Sequence, residues 1–304
     1  LIKQIKSQNN KKKKNLNELL KKIVTKRQIA DVPVGLLLSS GVDSNLIKKM
    51  SPKISSYFCG GMKSDEEIEF VKKKYSNKNI INITEVTNQQ YKKKFKQLIK
   101  LKGEPLSVPN EVVLSLIAKS AKKMGFKVLM SGEGADEFFA GYDRIFGWAA
   151  NVKKFDINKF CDLYCYDKID KKNMIKIKKF FLTVKNLNAF NKVKIFFIKF
   201  HLPILLRRLD FALMSAGVEG REPFVSRELF YESLKYSSKD LMKNSLGKIP
   251  LRNLLASYTS RDFAYRKKIG FPIDLKKIFG TKKNLETSNY NIWYKENLKC
   301  LKQI

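Results

Sequence analysis

The stretch LLLSSGVDSN, from Leu36 to Asn45, changes from apolar to polar within a few residues. The leucines end a continuous apolar run, which is typical of a strand buried on both faces of a parallel sheet. The serines and Asp43 that follow favour the start of a helix. The stretch therefore predicts a strand, a tight turn and a helix N-terminus, which together provide backbone N–H groups for a phosphate.

This turn lacks the residues that define two common phosphate-binding loops. A Walker A loop needs a lysine and a longer span between glycines, and Lys48 comes too late to supply it. A dinucleotide-binding fingerprint needs three spaced glycines, whereas the turn contains only Gly41. Asp43 would repel a bare phosphate, so it indicates a Mg²⁺ ion that bridges carboxylate and phosphate oxygens. The alternative is a serine-rich turn that only caps a helix.

A second polar loop, SGEGADEFFAGY from Ser131 to Tyr142, also follows a predicted strand and also opens a helix. The carboxyl ends of parallel strands meet at one edge of a sheet, where ligands bind. We therefore expect the two loops to close on one triphosphate from two sides, with Asp43 and Asp136 sharing the metal. An ordinary glycine-rich loop with a helix cap is the alternative.

The remaining sequence predicts an α/β fold with a parallel sheet covered by helices on both faces, followed by a mainly helical C-terminal region. Strands are expected at Val34–Leu38, Ile54–Cys59 (closed by Gly60-Gly61), Asn79–Thr84 and Lys127–Met130. Beyond about residue 151 the chain is rich in Lys, Phe and Ile without strand alternation, which favours helices. The predicted organisation is a charged lead-in (1–30), an α/β core (31–145) and a helical part that completes the active site (146–304).

Composition restricts the class of partner. Lys and Arg number 62 against 28 Asp and Glu, which gives a formal net charge of +34. Because this charge is mostly lysine spread along the chain, we interpret it as a lysine-rich surface and expect no nucleic-acid partner; a basic nucleic-acid-binding face is the alternative. The single histidine, His201, excludes a histidine dyad and is expected to be structural. No segment is long and apolar enough to span a bilayer, so we expect a cytoplasmic location without a membrane partner.

Five blocks, in order along most of the chain, resemble one enzyme family. LLLSSGVDS resembles the pyrophosphate loop of the ATP pyrophosphatase superfamily, which implies an adenine nucleotide alpha hydrolase-like fold. Together with DVPVG before it, the other blocks resemble the synthetase domain of glutamine-dependent asparagine synthetases. These blocks are SGEGADE with its following Gly-Tyr, GVEGREPF (217–224), KIPLR (248–252) and RKKIGFPID (266–274).

The resemblance implies a two-step amidation. ATP, with Mg²⁺, adenylates a side-chain carboxylate and pyrophosphate leaves; ammonia then attacks the acyl-adenylate, and an amide and AMP are formed. Aspartate is the expected acceptor, and a family amidotransferase that acts on a carboxylate of a sugar or peptide is the alternative. A tRNA-modifying relative with the same first loop is a further alternative, but SGEGADE and RKKIGFP would then have no explanation.

The resemblance also assigns roles to individual residues. Pyrophosphate and metal contacts are expected from Ser39, Gly41, Asp43 and Ser44, with Asp136 as the second metal ligand. The adenine is expected to be bordered by Leu37, Leu38 and Cys59, which end the first two predicted strands. Other nucleotide contacts are expected from Ser131, Gly132 and Glu133. The expected catalytic residues are Lys268, which neutralises charge on the phosphate in the transition state, and Tyr142 and Glu219 near the acceptor.

Each of the three catalytic assignments has a structural alternative. Lys268 is one lysine in a lysine-rich chain, and Tyr142 is suited to packing. Glu219 is able to form a buried ion pair with Arg221 between helices.

The chain also departs from the family pattern. Ser40 replaces a glycine, which requires a backbone with negative φ at that position. Asn45 replaces a serine, and Ser226 replaces an aspartate. The full-length enzymes of the family begin with a glutaminase domain whose first residue is a nucleophilic cysteine, and no cysteine of this chain fits that role. We therefore expect either that the N-terminal glutaminase domain is separate or missing from this chain, or that ammonia comes from a partner or from solution.

Overall fold

The structure is a computed structural model, which describes residues 12–63, 65–75, 81–165, 169–267, 269, 273–280 and 288–303. It contains a five-stranded parallel sheet in the order β3-β2-β1-β4-β5. The strands are β1 (Val34–Leu37), β2 (Tyr57–Met62), β3 (Ile81–Val86), β4 (Val128–Met130) and β5 (Glu219–Arg221). The α/β fold with a parallel sheet is therefore confirmed. Residues 79 and 80 of the third predicted strand lie outside the described residues.

Helices connect the strands and make up most of the chain after β4, as predicted. The helices up to β4 are α1 (Leu16–Arg27), α2 (Val42–Met50), α3 (Glu66–Tyr75), α4 (Asn88–Lys102) and α5 (Asn110–Lys123). Those between β4 and β5 are α6 (Ala135–Phe139), α7 (Asp143–Asn151), α8 (Ile157–Tyr164), α9 (Lys171–Thr183), α10 (Ala189–Phe196) and α11 (Leu202–Met214). Those after β5 are α12 (Arg227–Ser233), α13 (Ser238–Leu241), α14 (Ile249–Tyr258), α15 (Arg261–Tyr265), α16 (Leu275–Phe279) and α17 (Asn289–Leu301). Among the described residues, no helix has the length and apolar character needed to cross a membrane.

Strand β2 runs past the two glycines that were expected to close it, so the predicted end at Cys59 is wrong. A side chain at Gly60 would lie 2.6 Å from Ile117 of α5, and one at Gly61 would lie 3.2 Å from Ile68 of α3. Because successive residues of a strand face opposite sides of the sheet, these helices cover opposite faces. The glycines are therefore positions of close helix–sheet packing inside the strand and not a turn.

Strand β5 is part of the observed sheet but was not predicted from the sequence. The N–H of Glu219 donates to the carbonyl of Lys127 (2.8 Å), and the N–H of Ser131 donates to the carbonyl of Arg221 (2.9 Å). The segment has only three residues, two of them charged, so it lacks the apolar pattern from which strands are predicted. Arg221 Nε lies 2.8 Å from Glu219 Oε1, and the Glu219 side chain is 57% exposed. The alternative of a buried ion pair between helices is therefore wrong.

The chain divides into two compact units whose segments alternate along the sequence. The sheet unit comprises Val24–Gly132, Ile204–Pro223 and Arg266–Ile304, and it contains all five strands. The helical unit comprises Leu1–Ile23, Glu133–Pro203 and Phe224–Tyr265. The three predicted ranges, 1–30, 31–145 and 146–304, stay a prediction about domain organisation.

The C-terminal helix α17 completes the hydrophobic core of the sheet unit. Trp293 is buried and packs against Phe95 of α4, with ring centroids 5.1 Å apart. The indole N–H of Trp293 donates to the carbonyl of Leu106 (3.1 Å), and Asn297 Oδ1 accepts from the N–H of the same residue (2.8 Å). Helix α17 therefore provides hydrogen-bond partners for the backbone N–H and carbonyl of Leu106, which lies nearly two hundred residues earlier in the chain.

Candidate active site

The turn after β1 has the predicted strand–turn–helix structure. Strand β1 ends at Leu37, and α2 places Asp43 and Ser44 in its first turn. Gly41 caps the helix and has no side chain that bonds to the N–H groups of the first turn, and a helix N-terminus of this kind suits an anionic ligand. The positive end of the helix dipole stabilises the negative charge of a carboxylate or phosphate at this position.

Ser39 and Ser44 hold the two sides of this turn together. Their hydroxyl oxygens lie 3.0 Å apart, and the N–H of Ser39 donates to the hydroxyl of Ser44 (3.1 Å). The N–H of Gly41 donates to the hydroxyl of Ser39 (3.1 Å). Three of the residues predicted to bind pyrophosphate thus form one hydrogen-bonded turn.

The side chain of Ser40 explains how a serine occupies a position where glycine was expected. Glu67 of α3 accepts hydrogen bonds from the N–H of Ser40 and from its hydroxyl, the latter at 2.5 Å. Both side chains are buried, and Ser40 is not among the residues with positive φ. We call this contact the Ser40–Glu67 clamp; it ties the turn to α3.

Asn45, the second departure from the family pattern, supports the same turn from within α2. Its amide nitrogen donates to the carbonyls of Ser39 (2.8 Å) and Gly41 (2.7 Å). Its amide oxygen accepts from the hydroxyl of Tyr75 (2.5 Å). Both departures in the turn are therefore hydrogen-bonded parts of its support.

The second predicted loop reaches the first one inside the sheet unit. A side chain at Gly132 would lie 2.8 Å from Asp43 Cβ and 3.2 Å from the backbone nitrogen of Ser44. Such a close approach excludes any residue but glycine without a shift of the backbone. The structure therefore brings Gly132 next to two of the residues predicted to bind pyrophosphate.

The second loop continues into the helical unit, where Asp136 forms a buried ion pair. Lys248 Nζ lies 2.7 Å from Asp136 Oδ1, and the two side chains are 5% and 17% exposed. Lys248 is the residue before α14, and its φ of 60° lies in the left-handed region that few residues other than glycine adopt. Its N–H donates to the carbonyl of Phe139 (3.0 Å). The backbone is therefore held in an unfavourable conformation that places the ammonium group on Asp136.

Lys248 is a functional candidate for which no role was predicted. It is the first residue of the KIPLR block, whose position in the family order was the only available signal. The distance in sequence from Asp136 conceals the pairing.

Tyr142 lies at the start of α7, where it is hydrogen-bonded as well as packed. Its hydroxyl donates to Glu137 Oε1 (2.6 Å), and its ring lies 4.6 Å from that of Phe197. Burial, with the charge of Asp136 as the next cause, raises the pKa of Glu137 to about 7. Burial and the charge of Glu137 raise the pKa of Tyr142 well above its usual range. The phenol is therefore a neutral hydrogen-bonding group at neutral pH.

The predicted adenine-binding roles of Leu37, Leu38 and Cys59 stay predictions. Leu37 is the last residue of β1, and the N–H of Leu38 donates to the carbonyl of Phe58 on the neighbouring strand (2.8 Å). Cys59 is the third residue of β2 and buried, and burial, followed by the charges of Glu67 and Asp65, raises the pKa of its thiol to about 12.

For two of the other predicted site residues, Glu133 and Glu219, the structure gives a position. Glu133 lies at the start of the segment that belongs to the helical unit, and Glu219 is exposed on the edge strand β5. Lys268 lies outside the described residues. Ser226, which replaces an aspartate, caps α12 by accepting from the N–H of Leu229 (3.2 Å). Serine and aspartate are both strong N-cap residues, so this replacement preserves the start of the helix.

The sequence of this chain is similar to those of one family of enzymes. The sequence profile of the family described as "Asparagine synthase" matches residues 15–292. "Asparagine synthetase [glutamine-hydrolyzing] 1" of Bacillus subtilis is 24% identical over 330 positions, which cover 90% of this chain and 52% of that protein. "Asparagine synthetase B [glutamine-hydrolyzing]" of Escherichia coli is 22% identical, with 85% of this chain and 44% of that protein covered. The chain thus spans about half the length of these curated relatives.

Proposed function

We propose, since the chain belongs to the asparagine synthase family, that it is an ATP-dependent ligase that converts a carboxylate into an amide. The contact of Gly132 with Asp43 is the strongest support, because it joins two loops with phosphate-binding features at the carboxyl edge of one sheet. Aspartate is the proposed acceptor and ammonia the proposed nitrogen donor, because the relatives are named for the synthesis of asparagine with hydrolysis of glutamine. A cytoplasmic location and the lack of a nucleic-acid partner stay predictions.

The first turn of α2 offers oxygen groups that fit a magnesium ion and a phosphate. Mg²⁺ prefers one or two carboxylates together with phosphate oxygens, and Asp43 lies where a helix N-terminus also attracts phosphate. Bound Mg²⁺ would neutralise the charge of the triphosphate. We propose Asp43 and Asp136 as its protein ligands; their pairing on one ion stays a prediction.

The residues of the chain have separate tasks in the proposed reaction. In the first step, a carboxylate oxygen of the acceptor bonds to the α-phosphorus, and the bond from that phosphorus to the bridging oxygen of pyrophosphate breaks. Ser39, Gly41 and Ser44 hold the leaving pyrophosphate through N–H and hydroxyl groups. Lys268 supplies positive charge as the phosphate charge is redistributed. In the second step, ammonia bonds to the acyl carbon and AMP leaves, with Tyr142 and Glu219 at the acceptor.

Pyrophosphate release tests this function. Purified protein is given ATP and Mg²⁺ with aspartate or another carboxylate, with and without ammonia, and pyrophosphate and amide are measured separately. We expect release with aspartate and amide only when ammonia is present. Release with a different acid alone would reassign the acceptor and retain the adenylation chemistry. A lack of release with every carboxylate would overturn the proposal.

Replacing Glu67 by glutamine tests whether the Ser40–Glu67 clamp shapes the turn. Glutamine preserves the volume but removes the negative charge, so the N–H and the hydroxyl of Ser40 lose their charged acceptor. Hydrogen bonds to a charged group contribute about 1.5–3 kcal/mol, so we expect the rate of pyrophosphate release to fall about tenfold. Ser40→Gly is the matched variant, since it retains the backbone bond to Glu67; we expect it to stay close to the wild-type rate. Equal rates for Glu67→Gln and wild type would show that the clamp does not govern the turn.

A further inference from the structure

His201, the only histidine of the chain, lies between two tyrosine hydroxyls of the helical unit. Its Nε2 lies 3.0 Å from the hydroxyl of Tyr142, and its Nδ1 lies 3.1 Å from the hydroxyl of Tyr164. The hydroxyl of Tyr142 in turn lies 2.6 Å from Glu137 Oε1. Four side chains therefore form a continuous line of hydrogen bonds, which we call the Glu137–Tyr164 row.

A local break in helix geometry places His201 in this row. The segment Phe197–His201 is a π-helical turn between α10 and α11, in which the N–H of Leu202 donates to the carbonyl of Phe197. Pro203 follows, and its ring and missing N–H conflict with a regular α-helical turn before it. Wide turns of this kind occur often at functional sites. The imidazole ring also packs against Phe197, with ring centroids 4.9 Å apart.

The number of protons in the row fixes the direction of its hydrogen bonds. Tyr142 has one hydroxyl proton, which it donates to Glu137 Oε1 (2.6 Å). Its oxygen therefore accepts from His201 Nε2–H, and His201 Nδ1 accepts from the hydroxyl of Tyr164. The hydroxyl proton of Tyr142 is thus already donated to Glu137, and the phenol oxygen has only a lone pair with which to accept a hydrogen bond from a substrate.

We propose that His201 is a positioning residue that holds the phenol of Tyr142 as an acceptor for an N–H group of a substrate, an inference that rests on the function proposed above. Phosphate and carboxylate oxygens have no proton to donate, so they do not match this acceptor. Two N–H groups occur in the proposed reaction, those of ammonia and those of the ammonium group of an amino-acid acceptor. The shared feature is an N–H donor, and the kinetics below distinguish the two sources.

His201→Phe is the variant that tests this role. Phenylalanine retains a ring against Phe197 but removes both hydrogen bonds, so the fold is expected to persist. Small misplacements of a reacting group cost up to about 100-fold in rate, so we expect kcat/KM for the N–H substrate to fall about 10- to 100-fold. The KM for ATP is expected to change by less than about twofold. His201→Gln, which restores one polar group beside Tyr142, is expected to recover part of the loss.

The kinetic pattern decides between the outcomes. A fall in kcat/KM for ammonia alone would show that the N–H group belongs to the nucleophile. A fall in kcat/KM for the amino acid alone would show that it belongs to the acceptor. Both results support the proposal. Tyr258→Phe is the matched control, because it removes a hydroxyl that donates to Asn17 Oδ1 (2.6 Å) elsewhere in the helical unit. An unchanged His201→Phe enzyme, or an equal loss for ATP and the nitrogen substrate, would overturn the role.

Nuclear magnetic resonance gives a second readout that needs no turnover. Because the chain has one histidine, ¹⁵N-histidine labelling yields a single pair of ring nitrogen signals. We expect the tautomer with the proton on Nε2, a change of the Nε2 signal in Tyr142→Phe and a change of the Nδ1 signal in Tyr164→Phe. Ring nitrogen signals that stay unchanged in both variants would show that the hydrogen bonds of the Glu137–Tyr164 row do not exist. The predicted tautomer in a protein that releases no pyrophosphate would instead overturn the proposed function, and the positioning role with it.

Discussion

Asp43→Asn removes pyrophosphate release and leaves the protein folded: this is the largest effect that we expect from a single substitution. Asparagine preserves the shape of the side chain against Gly132 but removes the negative charge in the first turn of α2. Loss of one preorganised electrostatic group costs about 10²–10³-fold in rate, and loss of a metal ligand is expected to reach at least the upper end. The rate of pyrophosphate release at saturating ATP and Mg²⁺ measures the effect.

The free energy of unfolding of Asp43→Asn shows whether the loss of activity comes from the lost charge or from a disturbed structure. A carboxylate near a helix N-terminus contributes about 0.3–1 kcal/mol, so the free energy of unfolding of Asp43→Asn should fall by no more than that. Glu69→Gln is the control, since it removes an exposed acid from α3 in the same unit. Turnover of Asp43→Asn at the rate of Glu69→Gln would refute the metal assignment.

Lys248→Met is expected to reduce both activity and stability. Methionine has a similar length and the same backbone cost at positive φ, but it leaves the partly buried carboxylate of Asp136 without the ammonium group of Lys248. Breaking a buried ion pair from one side costs about 3–5 kcal/mol, and the partial exposure of Asp136 makes the lower end the expected value. We expect pyrophosphate release to fall at least about 10²-fold, because Asp136, the proposed metal ligand, loses the ammonium group that orients it.

The double variant Lys248→Met/Asp136→Asn distinguishes the two effects. Removal of the stranded charge should restore most of the free energy of unfolding, measured by urea denaturation, but none of the activity. Lys243→Met is the control, because it removes an exposed lysine from the same loop. Recovery of pyrophosphate release in the double variant would show that the ion pair serves stability alone.

The sequence predicted the elements whose signals are local. A buried strand such as β1 is a continuous apolar run, and the helix after it starts with residues that favour a helix N-terminus. Gly60 and Gly61 were misread because glycine is normally a turn residue, whereas here each makes room for a helix on one face of β2. That reason lies in residues far away along the chain, so no local pattern contains it.

The candidate site shows the same division between local and distant contacts. The turn from Ser39 to Ser44 was predicted because its residues are neighbours in sequence. The contact of Ser40 with Glu67 spans 27 residues, and that of His201 with Tyr142 spans 59 residues. An acid on a helix and a single histidine carry no sign of their partners. Burial decides their roles, and burial becomes visible only when the helices are packed.

The position of α17 has a consequence for how the protein is made. The ribosome delivers all of β1 to β4 before it delivers Trp293 and Asn297, whose side chains hydrogen-bond to the backbone of Leu106. Until then the nascent sheet, although all five strands have been synthesised, lacks the indole that packs against Phe95. The sheet unit is therefore finished only after Trp293 has been synthesised, and until then the apolar face around Phe95 has to be kept from aggregation.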